Sequence, residues 1–130
     1  MGQQQLLLIV LGVIIVGISV VVGINLFQTS AVQANRDAVI ADLNALAASA
    51  MQYYKKPTNL GGGGNSFVGY AIPTGMGSNA NGTYTISVAG NATSITFRGV
   101  GTEKGDNGTA GVTHTAAVTS TGGITIAKTN

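Results

Sequence analysis

The ionisable chemistry of this 130-residue sequence is sparse: one histidine, four carboxylates, six basic side chains and four tyrosines. There is no cysteine, which excludes disulfides, thiolate nucleophiles and cysteine-ligated metals. His114 is alone, so no two-histidine metal motif exists; within an alternating apolar run it reads as a satisfied, half-buried strand residue. Asp37 and Asp42 fall five apart in a helical stretch and therefore do not face each other as an acid–base pair would. Glu103 and Asp106 share a Gly-rich segment. Two carboxylates are fewer oxygen ligands than a calcium loop supplies, so an ordinary charged loop is the simpler reading. Gly61–Gly64 lacks the Lys-Ser/Thr that a phosphate loop requires. The basic residues are scattered, and a net charge of +2 gives no indication of nucleic-acid binding. Asn81-Gly82-Thr83, Asn91-Ala92-Thr93 and Asn107-Gly108-Thr109 match the N-glycosylation pattern, making Asn81, Asn91 and Asn107 candidate modification sites. These residue types predict no enzyme, no cofactor and no metal site.

The elements that carry these residues are more informative. Leu6 to Phe27 is an apolar run broken only by Gly12, Gly17, Ser19, Gly23 and Asn25, and no charged side chain precedes Arg36. As a helix this run spans about 33 Å, enough to cross a bilayer core of about 30 Å. A cleaved secretory signal is the poorer reading. Residues 1–5 have no basic side chain, and the apolar run is longer than a usual signal core. A plain membrane anchor and a helix that packs into an oligomer remain.

Residues 28–56 keep the helical period but become amphipathic. Val32, Val39, Leu43, Leu46, Ala50 and Tyr53 or Tyr54 recur at helical spacing, with Arg36, Asp37, Asp42, Asn44, Ser49 and Gln52 assigned to the opposite side. Pro57 stops the helix. One nearly continuous helix over about residues 3–55 is predicted, with Tyr53 and Tyr54 anchoring its end against a sheet.

From Thr58 onward, 42 of 73 residues are Gly, Thr, Ser or Asn. Gly61–Gly64 reads as a flexible connector. Period-two alternation then predicts strands over Phe67–Ile72, Thr83–Val88, Ile95–Arg98, Val112–Thr119 and Ile124–Ala127. Gly90-Asn91 and Gly122-Gly123 are hairpin tips, and Gly99 to Gly111 is an exposed loop. The fold class is α+β: one long N-terminal helix and a small antiparallel sheet of four to five strands, covered by the amphipathic half of the helix. Residues 1–30 form the apolar helix, 31–57 its amphipathic continuation, 58–66 the Gly-rich connector and 67–130 the sheet domain.

This layout resembles the bacterial type IV pilins and the related pseudopilins of type II secretion. The resemblance lies in GQQQLLLIVLGVIIVGISVVVGINLF followed by ANRDAVIADLNALAASAMQYYKKP, and for the rest of the chain it is architectural. Met1 stands where the family usually begins with a methylated Phe, and Gln5 where it usually has Glu. There is no Pro within the apolar helix. The resemblance implies a non-catalytic major subunit of an extracellular type IV pilus-like filament. A pseudopilin of a secretion machine, or a bitopic membrane-anchored surface protein, is the alternative. It implies that many copies associate through Met1, Gln5, Leu8, Leu11, Gly12, Ile15, Gly17, Val21, Gly23 and Phe27. Met1 would be the first mature residue and the site of N-terminal modification. Partners would be further copies of the chain, the inner membrane before assembly and a pilus assembly machinery. Arg36, Asp37, Asp42 or a lysine would then pair between subunits.

Overall fold

A computed structural model describes residues 2–130; Met1, expected as an assembly and modification position, lies outside the described residues. The helix, α1, runs unbroken over Gly2–Lys55, 54 residues and about 80 Å. Nothing between Gly23 and Pro57 breaks it, and Lys55 in the last turn suits the negative end of the helix dipole.

The segment after α1 folds back on the helix end. The N–H groups of Gly63, Asn65 and Gly64 donate to the carbonyls of Tyr53, Tyr54 and Lys56 at 2.7, 2.7 and 2.9 Å. These carbonyls have no partner within the helix, and the connector satisfies them. A side chain on Gly62 or Gly63 would collide with the backbone of Lys56 or Ser66. The glycines expected to make a flexible tether therefore permit close approach instead. A 3₁₀ turn, Thr58–Leu60, lies within this cap.

Five antiparallel strands follow in strict chain order: β1 Ser78–Asn79, β2 Gly82–Val88, β3 Ser94–Lys104, β4 Gly111–Thr119 and β5 Ile124–Lys128. The fold class is the α+β arrangement that the sequence predicts. Both hairpin tips fall where expected, at the β2–β3 and β4–β5 connections. Two strand assignments need correction. Phe67–Ile72 is not a strand: Tyr70 N–H donates to Phe67 O at 3.1 Å, and Gly69 adopts φ +83° between them. Phe67 and Tyr70 both point inward from this turn. The short edge strand is instead Ser78–Asn79. Gly99 to Gly111 is not one loop either, because β3 continues to Lys104 and only residues 105–110 are irregular.

The core lies between α1 and the sheet. Val39, Leu43, Leu46, Ala47 and Ala50 pack on Tyr84, Ile95, Phe97, Val112, Ala116 and Val118. Ile95 lies opposite Val118, and Phe97 opposite Ala116, so each pair delivers both side chains to one face. Gly99 and Gly101 of β3 let the helix come close: a Cβ at Gly99 would meet Val39, and one at Gly101 would meet Asn35. Tyr53 and Tyr54 anchor the helix end against the start of the sheet domain, ahead of its first strand, and pack on the core. Tyr53 Oη donates to Val68 O at 2.7 Å, and Tyr54 stacks on Phe67 with ring centroids 4.8 Å apart. Tyr70 then carries the contact on to Phe97 of β3, 5.7 Å away edge-on.

Candidate assembly surface

Every described residue of α1 before Ala31 is exposed, and the large apolar ones are exposed by half or more. Leu8 is 68% accessible, Leu11 53%, Ile15 54%, Val21 58% and Phe27 77%. Gln5 is exposed as well. A Cβ built on Gly12, Gly17 or Gly23 would meet nothing within 4 Å. The expected assembly residues other than Met1 thus share one bare rod, and none of them is buried against the sheet domain. By length and composition the helix can cross a membrane. Leaving roughly 1,500 Å² of apolar surface in water would cost tens of kcal/mol at about 25 cal/mol per Å².

The rod is not uniform around its circumference. Gln5, Gly12 and Ser19 are spaced by sevens, Gly23 follows four residues later and Ser30 seven after that. At 3.6 residues per turn all five lie along one stripe. Ala34, Ala41, Ala45 and Ala48, all exposed, continue it along the second half of the helix. Val39 comes about two and a half turns after Ser30, so the stripe points away from the sheet. Ser19 Oγ already donates to Ile15 O at 2.8 Å, leaving a compact, hydrogen-bonded surface at that position. Leu8, Ile15 and Phe27 flank the stripe, whereas Leu11, Gly17 and Val21 lie elsewhere on the circumference.

The polar residues that sequence reasoning gave to the outer side of α1 are partly internal. Arg36 is only 8% exposed, and Asn35, to which no side was assigned, is also buried. Arg36 Nη2 donates to Asp106 Oδ1 at 2.6 Å and Nη1 to Asn130 O at 2.9 Å. Lys128 also pairs with Asp106. These contacts, the hydrogen bond from Lys128 first, hold the Asp106 carboxyl below its ordinary range. A carboxylate shared by two cations is poorly suited to a calcium ion, and no cluster of three or more metal-ligating side chains exists among the described residues. Asp42 is also committed within the chain. Burial disfavours its charge, but hydrogen bonds from Tyr84 at 2.5 Å, Asn79 at 2.9 Å and Asn81 at 3.2 Å outweigh that and lower its pKa. Tyr84, buried and facing that carboxylate, is raised. Ser49 accepts from Tyr70 Oη at 3.0 Å. Of the residues expected to pair between subunits, Arg36 and Asp42 are thus used inside one. Among the described residues Asp37 accepts only from its helical neighbour Gln33, at 3.1 Å.

His114 is buried, as a residue on the inner face of β4 must be, but it is not satisfied. Its Nδ1 has no hydrogen-bond partner among the described residues. Burial, then the nearby charges of Arg36 and Lys128, push its pKa down. The three sequons differ in setting. Asn81 is half-buried and donates to Asp42, whereas Asn91 and Asn107 are exposed and use Oδ1 to cap the turns that contain them. The basic residues are less scattered than the sequence suggests, because folding brings Arg36, Lys104 and Lys128 to one cleft.

No protein-family model, curated protein or solved structure matches this chain.

Proposed function

We propose that this chain is a non-catalytic structural subunit of a type IV pilus-like filament, inserted in a membrane through its apolar helix before assembly and displayed outside the cell afterwards. The observation that carries the reading is the bare rod. Residues 6–27 expose a membrane-length apolar surface on a helix whose other half completes the core of a folded domain. Lipid satisfies such a rod in one state and copies of itself in another. The stripe of Gly12, Ser19 and Gly23 supports the second state, because small residues let helices approach closely in apolar surroundings. Facing away from the sheet, it is accessible to a second helix while the domain stays outside the bundle. Gln3, Gln4 and Gln5 would find hydrogen-bond partners on neighbouring copies, as buried amides require.

Negative-stain microscopy of material sheared from cells producing the chain tests the reading, with antibody labelling to identify the subunit. Labelled filaments of uniform width are expected. A chain that stays monomeric in the membrane, with no labelled filament, sinks the proposal and leaves a bitopic surface protein; labelled short stubs would favour a pseudopilin.

A further inference from the structure

Where α1 emerges from beneath the sheet there is a cleft of about 590 Å³. Its floor is a polar helix face that includes Asn25, Gln28 and Thr29, and its rim holds Arg36, Lys104 and Lys128. Three of the chain's six basic side chains are gathered here, with Asp106 the one acidic residue of the lining. Asp106 is engaged by Arg36 and Lys128. Lys104 makes no ion pair among the described residues and also flanks an adjoining cleft with Gln28 and Val32. Glu103 lines that adjoining cleft too, so across the two clefts Arg36, Lys104 and Lys128 face Asp106 and Glu103, and a single net positive charge stands beside the first turn of helix beyond Phe27.

We propose that this cleft is a docking surface for the phosphate groups of anionic lipids, seating the sheet domain on the membrane before assembly. The inference rests on insertion of residues 6–27 in a bilayer. The apolar run then ends at Phe27. The headgroup layer beyond it is about 5–8 Å thick, and Gln28–Val32 rise through about the same distance at 1.5 Å per residue. Lys104, beside Gln28 and Val32, lies at that level. A lysine stem can lie along the helix while its ammonium reaches a phosphate. The polar floor supplies amide donors from Asn25 and Gln28 at the depth where lipid changes from acyl chain to headgroup, the Thr29 hydroxyl being already donated to Asn25 O at 3.0 Å. Residues 28–35 themselves carry no charge. The cation is thus delivered by the sheet, so the whole domain is oriented by it.

Hydrogen exchange of the full chain, reconstituted in phosphatidylcholine vesicles with and without phosphatidylglycerol, tests the proposal. Amides of residues 104–110 and 126–129 are expected to exchange more slowly when phosphatidylglycerol is present. Lys104→Gln is expected to remove roughly fivefold of that protection, about the worth of one lysine near an anionic surface. It breaks no ion pair described above, so protection of the β3–β4 core should be unchanged. Equal exchange in both lipids, with residues 6–27 protected, overturns docking while leaving insertion intact. Protection produced by inorganic phosphate alone in phosphatidylcholine vesicles overturns it in favour of a free-anion site. Protection that rises with protein density in phosphatidylcholine alone overturns it in favour of a second copy. Unprotected residues 6–27 in both lipids overturn insertion and docking together.

Discussion

The two halves of α1 share a backbone and differ in everything around it. Residues 6–27 have the more hydrophobic side chains yet bury none of them, whereas residues 31–55 bury only five apolar side chains fully and hold a sheet in place with them. Hydrophobicity alone therefore does not locate the core of this chain. The inner half is amphipathic, so a single sheet can satisfy it. The outer half is apolar on every side, and no one-sided partner can cover it. The difference separates what one chain needs in order to fold from what it needs in order to be fully covered.

Substitutions in the two halves should accordingly fail in different assays. The largest effect expected is from Gly17→Arg. A guanidinium at the middle of the rod costs about 2.5–3.5 kcal/mol on insertion scales and should abolish filaments, while the circular dichroism and thermal transition of the sheet domain stay as they were. Normal filaments from this variant would mean the rod is not the filament core. In the inner half, Leu43→Ala should lower domain stability by about 2–5 kcal/mol, read by denaturant unfolding. Leu11→Ala, an equal change in the rod, should move it by less than about 0.5 kcal/mol. Equal losses would erase the distinction. A finer test separates faces of the rod. Gly12→Leu and Gly23→Leu should weaken assembly, measured as the polymerised fraction after sedimentation, more than Gly17→Leu does. Equal effects would remove the stripe from the argument.

Smaller again is the polar seam between α1 and the sheet. Tyr84→Phe deletes one donor to Asp42 and should cost about 1–2 kcal/mol at neutral pH. Because the folded state lowers the Asp42 pKa, its contribution is present above the usual carboxylate range and is lost as pH falls through and below it. The variant should therefore lose less stability on acidification than the parent. His114 gives the smallest effect, with the same sign. Its folded pKa lies below the ordinary value of about 6.5, so the unfolded chain binds the proton more readily and stability declines as pH drops below that value. His114→Leu should flatten this limb in pH-dependent thermal melts; an unchanged limb would assign the acid sensitivity to other groups.

Much of this architecture was legible in the residues. The helix could be read because apolar and small residues keep a 3.6 period from Val32 to Tyr54, and Pro57 marks its end. Four of the five strands could be read because Thr alternates with Ile, Val or Ala. Phe67–Ile72 misled because period-two spacing also fits a turn with inward aromatics three residues apart. Gly99 and Gly101 misled because glycine signals a loop in sequence, whereas here it makes room for Val39 and Asn35. Helical spacing alone puts Arg36 outside, because its partners, Asp106 and Asn130, are 70 and 94 residues away. The basic cleft was hidden for the same reason, since its cations come from α1, β3 and β5.

The strictly consecutive strand order has a kinetic consequence. Each strand pairs with the one before it, so the sheet can grow hairpin by hairpin through short closures. The helix that covers it comes from the other end of the chain, and contacts such as Asn35 with Thr102 span 67 residues. Contacts that distant are slow to form. The sheet should therefore zip first and wait, its inner face uncovered, for the helix to dock. Docking, rather than strand pairing, should then be the slowest step of refolding, and the one at which an uncovered sheet is most prone to stick to its neighbours.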